Sequence, residues 1–272
     1  MFTDITLGQY YNEDSIIHRL DPRVKLVGTI VFMISLFVFN NLLCYGIAFV
    51  FLASVIIMSK VPVKFMLRGM KSIFILIIIT VLYNMFMTPG QELVRLWIFK
   101  ITKEGILASI YMFIRLTFLI TGSSIMTLTT TPNQLTDGIE RLCKPLKVFK
   151  VPVHEMAMMM SIALRFIPIL MEELDKITKA QIARGAELEN KNFFKKIKGL
   201  IPILVPLFIS SFRRANDLAL AMDARGYHGG DGRSKLRPLK YKGRDVAAYI
   251  IMFAYLLIVI AAGFVYGRFI NL

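Results

Sequence analysis

Five long apolar runs decide most of what this chain can fold into: about 24–40, 42–59, 72–88, 105–128 and 246–266. Each is close to the seventeen or more residues that a helix needs to cross a bilayer. The rest of the composition agrees, with 56% hydrophobic residues among 272 and a mean hydropathy of +0.61. The expected fold is therefore all-α, a polytopic membrane protein with about five transmembrane helices. The opening Met-Phe-Thr-Asp has no basic n-region with a cleavage site, so no signal peptide is expected to be removed. Five crossings place the two ends on opposite sides.

Orientation follows from the positions of Lys and Arg. The formal charge is +15, and 21 of the 33 basic residues fall between Pro132 and Asp245. With the N-terminus in the cytoplasm, that region, the stretch His18–Lys25 and the turn with Lys60, Lys64, Arg68 and Lys71 all lie inside. The short Asn40-Asn41 turn, the 89–104 loop and Gly267–Leu272 lie outside. The expected organisation is a four-helix membrane part (1–128), a cytoplasmic region of long helices (129–245) and a last transmembrane helix (246–272). The same positive-inside bias accounts for the basic balance, so nucleic acid is not an expected partner; the lipid bilayer is.

Within the basic region, Ala180-Gln-Ile-Ala-Arg-Gly185 recurs as Ala221-Met-Asp-Ala-Arg-Gly226. Each copy ends a long helical pattern whose apolar positions step by four and three. The first arm runs Met156, Met160, Ala163, Ile167, Leu170, Leu174, Ile177, Gln181, Arg184, and the second Ile197, Ile201, Leu204, Phe208, Ser211, Ala215, Leu218, Met222, Arg225. This spacing puts each set on one helix face. Pro168 in the first arm, and Pro202 and Pro206 in the second, predict a kink or break near each start. Gly185 and Gly226 suit helix C-termini, where a left-handed residue is commonly needed. Each arginine then sits at an arm's tip. One reading makes both ordinary last-turn cations favoured by the helix dipole; the other, suggested by the recurrence, makes them plugs for two matching pockets on a partner.

Elsewhere, Asp21 and Pro22 read as the N-cap and first residue of the first span, and residues 1–20 as an interfacial segment. Arg115 stands inside the fourth span, where a charge is costly unless paired or near the interface; no acidic residue in another clear span is there to meet it. Thr131-Pro132 to Pro145 reads as a short capped helix whose face Leu135, Ile139, Leu142, Leu146 rests on the membrane or on the arms. The methionines Met156, Met158, Met159, Met160, Met171 and Met222 fit either core filling or a surface that docks several partners. Glu172, Glu173, Asp175, Glu187 and Glu189 sit among lysines and read as a solvated face. Tyr227–Lys235 is a Gly-rich linker without the phosphate-loop pattern, since Gly232 is followed by Arg233 and Ser234. Cys44 and Cys143 fall in a span and on the cytoplasmic side, so no disulfide between them is expected.

Three histidines, His18, His154 and His228, form no metal-ligand spacing, and no nucleophile motif occurs. Neither a catalytic residue nor a metal ligand is therefore expected. A self-contained channel or secondary transporter with Arg115 in its pathway is the alternative function.

Arg19-Leu-Asp-Pro-Arg-Val-Lys-Leu26, Leu164-Arg-Phe-Ile-Pro-Ile-Leu170 and the paired Ala-Arg-Gly tips resemble the transmembrane T component of energy-coupling factor (ECF) transporters, the CbiQ/EcfT family. The resemblance covers most of the chain. It implies a non-catalytic membrane subunit of a bacterial importer, with two cytoplasmic ABC ATPases holding the tips of long coupling helices and one or more membrane S components capturing a vitamin or metal ion. Carried over residue by residue, Ala183, Arg184, Gly185, Ala224, Arg225 and Gly226 would dock the ATPases. The methionine-rich surface with Met156, Met160, Ala163 and Ile167 is expected to meet the S component. No cofactor is expected on this chain; Mg-ATP would sit on the ATPases.

Overall fold

A computed structural model describes residues 10–38, 41–71, 73–96, 99–186, 193–229 and 239–270. The first nine residues of the expected interfacial segment, Asn40, Glu187, Glu189 and the 230–235 part of the expected linker lie outside the described residues. The helices are α1 (Pro22–Val38), α2 (Leu42–Ser59), α3 (Val63–Lys71), α4 (Phe74–Met87), α5 (Lys103–Thr129), α6 (Pro132–Cys143), α7 (Val153–Ala183), α8 (Phe193–Asp223) and α9 (Gly243–Ile270). The loop expected at 89–104 holds a hairpin, β1 (Glu92–Leu96) with β2 (Phe99–Thr102), antiparallel and irregular between Glu92 and Val94. The all-α expectation holds apart from this small element. Two compact units form, one of Gly8–Gly138 with Leu239–Leu272, the other within Ile139–Pro238.

The first unit is a helix bundle. By length and apolar composition α2, α5, α7 and residues Gly243–Val265 of α9 can each cross a membrane, while α4 is a shorter apolar helix and α1 has 17 residues. The presence of α7 in that set differs from the sequence reading, which put it in the cytoplasmic region. Its first half, Val153–Leu170, carries only Glu155 and Arg165 as charges, and the others gather beyond it. Hydropathy alone therefore does not separate an apolar arm from a crossing.

Local sequence chemistry sets the ends. Asp21 Oδ1 accepts from the Arg23 backbone N–H at 2.9 Å, which caps α1 where Pro22 begins it. Thr102 caps α5 by accepting from the Gly105 N–H at 3.0 Å. Thr131 and Gln134 form a reciprocal capping box at the start of α6, with bonds of 3.3 and 3.2 Å. A 3-10 turn, Lys144–Phe149, takes over where Pro145 stops that helix. The packed residues of α6 are Thr136 and Gly138, while Ile139 and Leu142, and Leu146 in the turn that follows, are exposed. A Cβ on Gly138 would come within 3.1 Å of Leu26 and Pro22, so the close approach to α1 needs glycine.

The bundle core gathers Phe32, Leu36, Tyr45, Ala48, Leu52, Ile125, Leu128, Tyr255 and Val259. In lipid there is little hydrophobic drive between helices, so close packing and interhelical hydrogen bonds hold them. Phe51 stacks on Tyr255 at 4.2 Å between centroids. Each of several helix pairs also has a polar contact: Ser35 with Tyr255 at 2.8 Å, Ser109 donating to the Val81 carbonyl at 2.9 Å, and Arg115 Nε donating to Tyr45 Oη at 3.0 Å. Arg115 also lies 5.3 Å from the Phe37 ring. A phenol and an aromatic face thus meet this cation, a partner type that a search for acids misses. Cys44 and Cys143 are both free thiols.

A buried polar knot ties the starts of α1 and α9 to the end of α5. Asp245, 2% exposed, accepts from the backbone N–H of Asp21 at 2.9 Å and of Lys242 at 2.7 Å. Lys25 Nζ donates to the carbonyls of Thr129 at 2.7 Å and His18 at 3.2 Å, and so caps α5 with a cation where its dipole favours one. Asp21 also holds Arg23 through both oxygens, and Arg23 lies 3.8 Å above the Tyr241 ring. The sequence reading found the Asp21 cap but none of these long-range partners.

Candidate docking site on the paired arms

The second unit is built on α7 and α8, each of 31 residues. Their prolines do not end them: Pro168 lies inside α7, and Pro202 and Pro206 inside α8. The expected breaks are therefore absent from the helix assignment, and one has a visible compensation. Pro206 has no N–H to offer the carbonyl four residues back, that of Pro202. Gln181 Nε2, from the other arm, donates to that carbonyl at 3.1 Å. The proline defect in one arm thus becomes a register mark for the other.

Arg214 provides the second cross-arm contact, with Nε and Nη2 donating to Glu173 Oε2 at 3.2 and 2.8 Å. Glu173 was expected on a solvated face; it pairs across the arms instead. Taken with Gln181–Pro202, this contact makes the arms antiparallel. Arg225 lies twenty-three residues beyond Pro202, roughly 35 Å along α8, whereas Arg184 is three residues beyond Gln181. The two tips are therefore held apart, at opposite ends of the paired stretch.

Both tips have the same geometry. At the first, Gly185 has φ +84°, its N–H donates to the Ile182 carbonyl at 2.9 Å, and Ala186 N–H donates to the Gln181 carbonyl at 3.0 Å. At the second, Gly226 has φ +67°, its N–H reaches the Asp223 carbonyl at 2.8 Å, and Tyr227 N–H reaches the Met222 carbonyl at 3.1 Å. Each is a Schellman motif with the arginine as the capping residue and glycine in the left-handed position. These are the conformations the two glycines predict from sequence.

Ala183, Arg184, Ala224 and Arg225 are all exposed. Among the described residues neither guanidinium has a hydrogen-bond or ion-pair partner. A planar five-donor fork on a rigid helix end can pair with a carboxylate or with backbone carbonyls. Of the methionine-rich surface, Met156 and Met160 are 52% and 50% exposed, Ala163 is exposed and Ile167 half-buried. On α8 the face with Ile203, Leu207, Ser210 and Arg214 is the packed one, and Leu204, Phe208 and Phe212 are exposed.

A bundle of apolar helices long enough to cross a membrane, in a chain that also forms two long antiparallel arms each tipped by an exposed arginine, defines a class: a polytopic membrane protein with a paired-helix unit. The family model described as cobalt transport protein, CbiQ, matches residues 13–236. The energy-coupling factor transporter transmembrane protein EcfT of Clostridium kluyveri is 52% identical over 250 residues, which cover 91% of this chain and 93% of that protein. Those of Thermosediminibacter oceani and Bacillus subtilis are 46% identical over 267 residues (98% and 99% covered) and 43% identical over 251 residues (92% and 95% covered). The chain belongs to the CbiQ/EcfT family of transport proteins.

Proposed function

We propose that this chain is the coupling subunit of an ECF importer, transmitting ATP hydrolysis by two bound ABC ATPases to a membrane S component that carries a vitamin or metal ion inward. Arg184 and Arg225, with Ala183, Gly185, Ala224 and Gly226, dock the ATPases, and Met156, Met160, Ala163 and Ile167 meet the S component. The chain sits in the bacterial cell membrane with its N-terminus in the cytoplasm. Mg-ATP is bound by the ATPases, and no catalytic step falls to this chain.

The observation that carries the reading is the duplicated tip: two Schellman-capped helix ends with open arginines, held roughly 35 Å apart along α8 by the paired arms. A lever passes on force only if its ends are anchored, and two separated identical plugs fit two copies of a pocket. The relatives' name, an energy-coupling factor transporter transmembrane protein, supports the same role. The test is ATP-dependent uptake in cells whose only copy of this chain carries Arg184→Ala with Arg225→Ala. Loss of uptake with normal membrane insertion is expected; normal uptake would sink the docking role.

A further inference from the structure

A cavity of about 330 Å³ lies in the bundle unit between α1, the end of α2, the end of α5 and the start of α9. Its walls are mostly apolar, with Val24, Phe32, Leu52, Val55, Ile125 and Ile251 among them. Such a space is not a home for water, which needs several polar partners. The contributing helix ends all lie at one end of the bundle, so the cavity belongs to one leaflet, the cytoplasmic one under the orientation proposed above. Ile16, Met58 and Ile251 on its lining are themselves exposed, so it opens sideways, where a crossing bundle meets lipid chains.

Arg244, in the first turn of α9, lines the cavity, and its Nε is shut off from solvent without a hydrogen-bond partner among the described residues. An enclosed cationic donor without a partner is costly, and an anion beside the guanidinium offsets that cost. No carboxylate lines the cavity. Asp245, the neighbour in sequence, is already engaged with the N–H groups of Asp21 and Lys242. A second cation, Lys25, lies on the same lining and has two of its three donors committed to the His18 and Thr129 carbonyls.

We propose that this cavity holds one anionic phospholipid, with an acyl chain between α1, α2, α5 and α9 and a phosphate oxygen at its mouth paired with the Arg244 guanidinium. The apolar volume is at the small end of the range for ligand sites. It therefore takes a chain and leaves the headgroup at the mouth, beside two cations. Guanidinium groups bind phosphate oxygens with strong charge-assisted bonds, which selects an anionic lipid over an uncharged apolar guest.

The full-length chain would be reconstituted in nanodiscs of phosphatidylglycerol or of phosphatidylcholine, extracted, and its retained lipid counted by native mass spectrometry, with thermal melting as a check of folding. About one phosphatidylglycerol per chain is expected to survive extraction, with phosphatidylcholine lost. Arg244→Gln is expected to lower the retention roughly ten- to a hundredfold, the worth of a charged hydrogen bond. Ala248→Leu, which fills the cavity while leaving the arginine in place, should lower it as well, and it carries the test alone if the first variant does not fold. Equal retention of the two lipids by the unaltered chain, or undiminished phosphatidylglycerol on a folded variant, would overturn the proposal. So would an equal thermal shift from inorganic phosphate alone, because no acyl chain would then be needed.

Discussion

Asp245→Ala is the perturbation that most directly tests how the bundle is closed. The carboxylate is 2% exposed and serves as the acceptor for two backbone donors, Asp21 N–H at 2.9 Å and Lys242 N–H at 2.7 Å. One of these ties α9 to the start of α1; the other completes the cap of α9 itself. Removing the acceptor leaves the buried Asp21 N–H unmet, at about 1–3 kcal/mol, while the N–H of Lys242, an exposed residue, can turn to water. For a chain of this size that corresponds to a fall in Tm of roughly 2–10 °C. Asp245→Asn keeps one carbonyl oxygen and sets an NH2 against the second donor, so it should lose an intermediate amount. The assay is thermal unfolding of the purified full-length chain in one lipid and detergent system, followed by tryptic cleavage near residue 20 as a local readout. A fall of less than about 1 °C for Asp245→Ala would refute the reasoning, since the buried Asp21 N–H would then cost nothing to leave unmet.

Gly185→Val and Gly226→Val each force a branched side chain into a left-handed residue at φ +84° and +67°. Open space surrounds both positions, so the cost is conformational, about 1–2 kcal/mol each; hydrogen exchange of the last turn of α7 or α8 should rise about five- to thirtyfold, and unchanged exchange would contradict the Schellman assignment. Gln181→Ala should loosen the arms near Pro202 by leaving its carbonyl unmet, read as faster exchange on both helices there and not at Glu173–Arg214. For His18, burial pushes the imidazole below its ordinary 6.5. Its Nε2 lies 3.0 Å from the Tyr11 carbonyl, which can only accept, and its Nδ1 lies 2.7 Å from Ser15 Oγ, so the neutral ring fits both. Folded protein then resists the proton more than unfolded chain does. Stability is unaffected above pH 6.5 and falls as pH drops below 6.5 toward the lower folded value. Melting of the wild type relative to His18→Gln should show this fall as the pH drops below 6.5, and parallel curves would refute it.

Much of the bundle was legible in sequence because it depends on local chemistry. Asp21-Pro22, Thr131 and the two tip glycines are short-range signals, and each produced the expected cap. What sequence could not reach was pairing at a distance. The partners of Asp245, Lys25, Arg115 and Glu173 are 224, 104, 70 and 41 residues away, and no periodicity announces them. The prolines were half legible for a related reason: Pro206 predicts a missing hydrogen bond, while whether the helix breaks there depends on an outside donor such as Gln181. The packed residues of α6, Thr136 and Gly138, were not legible because small side chains permit close approach yet carry little hydrophobic signal. The tips were the reverse case, since a repeated local motif carried the docking proposal almost unaided.

The central claim is that the two arginine tips anchor the arms to ATPase partners. The most direct measurement is the affinity of the purified ABC ATPases for the full-length chain in nanodiscs, for wild type, Arg184→Ala, Arg225→Ala and both together. Truncating an arginine anchor of this kind costs about 2–5 kcal/mol, so each single variant should bind at least roughly thirtyfold more weakly. The double variant should fail to hold either ATPase while melting like the wild type. Wild-type affinity in the folded double variant would contradict the account.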